Sequence, residues 1–283
     1  LLPYHAGLHE AREQPPESIQ KGSPFQGTRN IIVNMISAVP CLADNYAYLI
    51  PNGAGGALVV DPGEAEPVRV ALAQRGLELA AILCTHHHRD HVGGNAQLWR
   101  PGVEVVAHAT DRDRVPHLTR TVEDGELFEV AGVSLRALHV PGHTSGAVAY
   151  WMDDALFTGD TLFCAGCGRL FEGTAADLHA SLCKLVATVP KDTIIYCGHE
   201  YTEKNLRFAA AVEPENPDVA RRLARVREAR RAGHFCAAAT VAEELATNPF
   251  LRVDRPEVGR SVDLDDGLPE RVFAALRRWK DDF

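Results

Sequence analysis

Residues Thr85 to Gly94 read Thr-His-His-His-Arg-Asp-His-Val-Gly-Gly and directly follow the apolar run Ala81-Ile82-Leu83-Cys84. This places four histidines and an aspartate within six positions at the end of a strand-like segment. In an extended chain His86 and His88 share a face, because side chains two apart point the same way. His87 then points elsewhere and reads as a packing or supporting residue. Asp90 and His91 follow as the chain turns, so they can reach a second point where a second ion can sit. A pair of histidines could arise by chance among thirteen. Three at i, i+2 and i+5 with an interposed aspartate form a metal pattern, provided that the surrounding structure supports it.

Three later segments repeat the arrangement of apolar run, glycine and one potential ligand. Leu135 to Val140 leads into Pro141-Gly142-His143, Ala155 to Thr158 into Gly159-Asp160, and Thr193 to Cys197 into Gly198-His199. Loops at the ends of strands on a rigid sheet are where sites are built. His86, His88 and His143 form one three-nitrogen set, and Asp90, His91 and His199 another, leaving Asp160 as a bridging carboxylate. Seven donors exceed what one tetrahedral zinc accepts, so two divalent ions sharing Asp160 are expected. Zinc is the first expectation for both, with iron or manganese as alternatives that the same donors suit. Asp61, in the turn Asp61-Pro62-Gly63, is either a turn former or a brace for the metal loop. His108, His117, His139 and His179 lack the strand-end setting and read as structural or surface residues.

At 283 residues the chain can hold one large domain with a smaller appendage. A net charge of −9 argues against a nucleic-acid surface, which needs a basic face. An anionic substrate would require a local cationic patch. Seven scattered cysteines do not form a disulfide framework, and a reducing cytoplasm is expected. Cys164-Ala-Gly-Cys167 has redox spacing but lies in a glycine-rich loop, and Cys197 reads as buried and inert. No apolar run reaches bilayer length, so no membrane partner is expected.

Residues 1–34 are interrupted by Pro15-Pro16 and Gly22-Ser23-Pro24 and read as a disordered leader, tag or fusion remnant. From Ile36 onward short apolar runs bounded by turn residues alternate with helical spacing, which describes a layered α/β domain over 35–203. After His199 no further strand runs are expected. Residues 204–212, 218–231 and 268–279 carry helical spacing, giving a helical domain over 204–283. In the last of these, Leu268, Val272, Ala275, Leu276 and Trp279 are expected to face inward. Arg277 and Lys280 share another side.

The element Thr85 to His91, with His143, Asp160 and His199, resembles the metallo-β-lactamase superfamily. Gly166 to Thr174, Gly198 to Thr202, Asn248 to Arg252 and the terminal run Arg277 to Phe283 are similar to the glyoxalase II family, the hydroxyacylglutathione hydrolases. The resemblance covers about residues 35 to 283. The histidine element is specific to the superfamily only, and the later four blocks point to the family.

The resemblance implies an αββα metallo-β-lactamase sandwich with a small helical C-terminal domain closing over a glutathione thioester. Asp90 would orient the attacking water and Asp160 hold the two ions together. Arg169, Phe171, Tyr201, Arg277 and Lys280 fall where the family binds glutathione, whose carboxylates suit guanidinium and ammonium groups. Phe171 stands where some members have tyrosine, so its contact is apolar, and Arg169 keeps the charge of the lysine found in others. The implied activity is hydrolysis of S-2-hydroxyacylglutathione by a cytoplasmic monomer. The alternatives are a mononuclear-iron persulfide dioxygenase and a lactonase-type hydrolase of the same superfamily.

Overall fold

Several strands of this chain are buried along their whole length, and that decides the layering. The computed structural model describes residues 36–264 and 267–283; the expected leader, 1–34, lies outside the described residues. One six-stranded sheet contains β1 (Ser37–Cys41), β2 (Asn45–Pro51), β3 (Gly56–Val60), β4 (Glu78–Leu83), β5 (Glu104–His108) and β6 (Arg120–Val122) in that order. The pairings β1–β2 and β2–β3 are antiparallel, and those from β3 to β6 are parallel. The second sheet contains β7 (Leu127–Val130), β8 (Val133–His139), β9 (Val148–Met152) and β10 (Ala155–Gly159). After a small hairpin of β11 (Leu162–Phe163) and β12 (Gly166–Cys167), that sheet is completed by β13 (Ile194–Cys197) and β14 (Ala238–Thr240), in the order β14-β13-β10-β9-β8-β7.

Alternation along each strand separates three cores. In β2, Tyr48 and Ile50 point between the sheets, where Leu58, Leu83 and Val106 meet Leu135, Tyr150 and Phe157. Ala47 and Leu49 point outward beneath α1 (Ala65–Arg75) and its neighbours α2 (Arg89–Val92) and α3 (Asn95–Leu98). The outer face of the second sheet packs on α4 (Ala175–Thr188), which a Thr174–Asp177 capping box starts and whose Leu178, Leu182 and Leu185 face inward. Both sheets are thus covered on both faces, and β3, β9 and β10 are buried throughout. Among the described residues no helix is long and apolar enough to cross a membrane.

The rest of the chain forms α5 (Thr202–Val212), α6 (Pro217–Arg231), α7 (Val241–Thr247), α8 (Pro256–Arg260) and α9 (Pro269–Asp282). Two expectations need correction here. A strand does follow His199: β14 pairs antiparallel with β13 through Ile194–Thr240 and Tyr196–Ala238. Its Ala-Ala-Thr sequence has neither the length nor the branched residues that mark a strand, so tertiary pairing alone makes it one. In α9 Val272, Phe273, Leu276 and Arg277 are buried and Trp279 packs half-buried on the same core, as expected for Val272, Leu276 and Trp279, whereas Leu268 precedes the helix and is 52 % exposed.

The helical region is joined to the sandwich by a buried ion pair. Arg222 Nη2 donates to Glu244 Oε1 at 2.5 Å and Arg222 Nη1 to Thr247 Oγ1 at 2.5 Å. The other Glu244 oxygen accepts from the Ala165 backbone N at 2.8 Å and from Asn248 Nδ2 at 2.9 Å. Ala165 lies in the β11–β12 turn, so Glu244 links two helices to the sandwich. Removing one partner would leave an uncompensated buried charge. Arg222→Met is therefore expected to lower the unfolding free energy by about 3–5 kcal/mol, read from the denaturant midpoint. An unchanged midpoint would refute this role.

Candidate metal centre

The ligand-bearing loops meet because of strand direction. β8 and β10 each run antiparallel to β9, and β13 runs parallel to β10, so β8, β10 and β13 all end at one edge of the second sheet. His143, Asp160 and His199 follow those ends. The first sheet brings the histidine loop to the same place, where Val148 N donates to Thr85 O at 2.8 Å and Tyr150 Oη to Cys84 O at 3.0 Å. Two glycines make the approach close enough. Gly159 has φ +49°, and a Cβ there would lie 2.2 Å from Thr85 Oγ1. A Cβ on Gly198 would lie 2.5 Å from Asp160 Oδ1.

All seven expected donors come together as two groups. His88 Nδ1 lies 3.1 Å from His86 Nε2 and 3.0 Å from His143 Nε2. In the second group His91 Nε2 and His199 Nε2 are 3.4 Å apart, with Asp90 Oδ2 at 3.5 and 3.3 Å from them. Asp160 reaches both groups: Oδ1 is 3.3 Å from His91 Nε2, while Oδ2 is 3.2 Å from His199 Nε2 and 3.6 Å from His143 Nε2. Donors at about 2.0–2.1 Å from a tetrahedral zinc lie about 3.3–3.4 Å from one another. The observed spacings match that edge, and buried Asp160 Oδ1 lacks a hydrogen-bond partner among the described residues. The donor set therefore fits divalent metal ions.

Most of these imidazoles are held from behind. His91 Nδ1 donates to Asp61 Oδ2 at 3.0 Å, His143 Nδ1 to Arg169 O at 2.8 Å, and His199 Nδ1 to Asp44 Oδ1 at 2.9 Å. Such partners fix the tautomer and turn the other nitrogen towards the metal. Asp61 both turns the chain, with φ +49°, and braces the loop, since its carboxylate also accepts from Thr85 N and Oγ1. Sequence reasoning missed Asp44, and Asn45, which donates to Asp90 Oδ2 at 3.0 Å. The adjacent pair of polar residues at the start of β2 was the available signal. His87, left out of the ligand set, lies outside both groups. His108 and His139 stack at 3.9 Å, away from the donors.

The two groups differ electrically. Burial, with a contribution from neighbouring histidines, holds His86, His88 and His143 below the usual imidazole range. Burial would do the same to His91 and His199, but Asp160 and the other carboxylates together outweigh it, and His199 is pushed up to about 10. Asp90 and Asp160 lie below the usual carboxylate range, because hydrogen bonds from these histidines at Asp90, and their charge at Asp160, overcome desolvation. One group thus offers neutral nitrogens, and the other is a cation–anion cluster.

A cavity of about 540 Å³ opens onto the donors. It is also lined by the cations Arg169, Lys204, Arg277 and Lys280 and by the rings of Phe171 and Tyr201. Lys204 was not anticipated beyond its place in a helix. Tyr201 stacks on His199 with centroids 4.8 Å apart, and 63 % exposed Phe171 stands edge-on to His88 and His143 at 5.3 and 5.2 Å. Arg277 is not part of a solvated face. It is 4 % exposed, and its guanidinium donates to Cys167 O at 3.0 Å and Asp281 Oδ1 at 3.0 Å. Lys280 Nζ sits over the rings of Phe208 and Phe283 with no hydrogen-bond partner among the described residues. A larger cleft of about 740 Å³ lies around Glu213 to Asp218 and contains none of the seven donors. Size therefore does not locate the chemistry.

Metal must displace the protons on His91 and His199. A folded-state pKa raised above 6.5 means that the metal-free cluster is stabilising below that pH and loses its pairing as pH rises towards about 10. Zinc binding to metal-free protein at pH 7 is expected to release about two protons, measured by calorimetry in buffers of differing ionisation enthalpy. Heat independent of the buffer would contradict the charged second group.

Residues 43–199 match the metallo-beta-lactamase superfamily, and residues 200–283 match the family described as hydroxyacylglutathione hydrolase C-terminus. A hydroxyacylglutathione hydrolase of Methylococcus capsulatus is 49 % identical over 253 residues, covering 88 % of this chain and 98 % of that protein. The BLEG-1 B3 metallo-beta-lactamase has a similar fold, with a TM-score of 0.60 at 23 % identity over 77 % of this chain and 99 % of that one. TTHA1623, solved in a di-iron-bound form, gives 0.55 at 28 % identity over 76 % of this chain and 99 % of that one. By sequence and by fold, the chain belongs to the hydroxyacylglutathione hydrolase family of the metallo-β-lactamase superfamily.

Proposed function

We propose that this chain hydrolyses S-2-hydroxyacylglutathione thioesters, such as S-D-lactoylglutathione, to the hydroxy acid and glutathione, a step in methylglyoxal detoxification. One observation carries the reading: a single cavity joins the two donor groups to four cations, of which Arg277 is buried, Lys280 half-buried and Arg169 and Lys204 exposed, and Lys280 has no hydrogen-bond partner among the described residues. Glutathione brings carboxylates to such cations, and the thioester end then lies towards the donors. In this reading residues 35–203 hold the metals and 204–283 supply most of the cover.

Two divalent ions, with zinc proposed for both, would supply Lewis acidity to the thioester carbonyl and lower the pKa of water towards about 7. His86, His88 and His143 would hold one ion and Asp90, His91 and His199 the other, with Asp160 shared. Asp90, steadied by Asn45, has its carboxylate at the cavity wall, where it can orient the attacking water. The Tyr201 hydroxyl, pushed up to about 12 by burial and then by Asp44, stays protonated and can donate to the substrate. The leaving thiolate, from a thiol of pKa about 8.5, needs no strong general acid. The persulfide dioxygenase and lactonase readings are not favoured, since neither accounts for the match over 200–283. Free cysteines throughout suit the cytoplasm, and we take the chain to act as a monomer.

Purified protein is expected to hydrolyse S-D-lactoylglutathione, to lose activity on chelation and to regain it with zinc. Activity that survives removal of metal would sink the mechanism. Burial, then the neighbouring Lys204 and Arg277, brings Lys280 down to about 8. It is charged below that pH and neutral above it, so kcat/KM should fall as pH rises through about 8, the free enzyme being what that ratio reports. Lys280→Met should raise KM by roughly tenfold with kcat little changed, as expected for lost uniform binding, and should abolish that alkaline limb.

A further inference from the structure

His87 faces away from both donor groups, and what it faces is a second cluster the reaction does not use. Its Nδ1 lies 3.3 Å from Asp111 Oδ1 and its Nε2 3.4 Å from Glu172 Oε1. Arg114 joins the same two carboxylates, with Nη2 at 2.6 Å from Asp111 Oδ1 and Nη1 donating to Glu172 Oε1 at 2.6 Å. The other Glu172 oxygen accepts from Ser145 N at 2.8 Å and Ser145 Oγ at 2.7 Å. Asp111 is fully buried. Glu172 therefore touches three separate segments: the histidine loop, the turn after β5 and the loop that carries His143.

Glu172 also sits on the loop that forms one side of the cavity. Arg169 and Phe171 line that cavity, and Phe171 rests edge-on against His88 and His143. Among the described residues the other hydrogen bonds of residues 171–173 to the His143 loop are neutral backbone bonds, from Phe171 N to His143 O at 3.2 Å, Glu172 N to His143 O at 3.4 Å and Gly173 N to Gly142 O at 3.1 Å. Charge-assisted bonds are about twice as strong as neutral ones, so the carboxylate is the firmer anchor. Its chemistry matches that task, because hydrogen bonds from Ser145 and Arg114 together overcome desolvation and bring it down to about 2, leaving it ionised at neutral pH.

We infer that Glu172 is a positioning residue: with His87, Arg114 and Asp111 it latches the substrate-side loop 169–173 onto the metal-side loops and thereby sets affinity for the glutathione thioester. Its side chain is not among those lining the cavity, and its carboxylate contacts none of the seven donor side chains among the described residues. This inference rests on the hydrolase reading, and its test separates the two.

Glu172→Gln keeps the shape and removes the charge, and Arg114→Met removes the partner. Each variant should raise KM by roughly tenfold, the scale of effect that a slightly misplaced binding loop produces. Each should also keep kcat within about twofold of the parent, retain its bound metal and exchange its 171–173 amides faster with solvent. The double variant should be no worse than the worse single one, since both break the same latch. Unchanged KM with unchanged amide exchange would overturn the inference. So would a fall in kcat that follows lost metal, because Glu172 would then support the donors and not the substrate loop. If the parent protein fails to hydrolyse any glutathione thioester, the functional proposal falls, and amide exchange in metal-loaded protein still decides whether the latch exists.

Discussion

The structure depends on burying Asp160 between two groups of imidazoles. A carboxylate taken out of water costs several kcal/mol unless charge and hydrogen bonds compensate for it, and here His91, His199 and His143 surround it at 3.2–3.6 Å. That compensation is available only at an edge where both sheets deliver their loops. The demand passes outward through the supporting residues. Asp61 and Asp44 must be present to hold His91 and His199, and Gly159 and Gly198 must lack a side chain for the loops to close.

Much of this was legible because metal donors at strand ends leave both a chemical and a positional mark. The pattern of apolar run, glycine and ligand identified His143, Asp160 and His199 without any contact being known, since a buried strand must end before a polar donor can emerge. Asp44 and Asn45 left no such mark. They act through hydrogen bonds to residues far along the chain, Asp44 to His199 and Asn45 to Asp90, and an aspartate–asparagine pair beside a strand looks like turn chemistry. β14 was hidden for a related reason: Ala238-Ala239-Thr240 becomes a strand only because β13 offers it an edge.

Arg277 shows how a helical repeat can mislead when a side chain has both a long apolar stem and a charge. Its spacing from Lys280 suggests a solvated basic side, yet the guanidinium lies over the Phe250 ring at 5.2 Å and donates to the carbonyls of Cys167 and Gly168. α9 thus uses an arginine as part of its buried face. Asn248 does similar work from the other side, donating to Gly166 O at 2.9 Å. The β11–β12 hairpin is consequently held from two parts of the helical region, by Arg277 of α9 and by Glu244 of α7 with Asn248 at that helix's C-terminal end. The blocks that resemble the family therefore include residues that fasten the helical region as well as residues that line the cavity.

The cavity wall places cations where an acidic chain would otherwise have few. The net charge of −9 repels anions at long range, so attraction must be local and must come from a low-dielectric wall that focuses it. Lys280 fits that requirement because it is held against two aromatic rings with no counter-anion among the described residues, and burial, then the neighbouring Lys204 and Arg277, lowers its pKa. A carboxylate arriving beside it would relieve a cost that the folded protein already carries. Under the proposed function, binding energy would then come from a group kept unsatisfied, and Lys280 would help to position the thioester through a contact that need not change during the reaction.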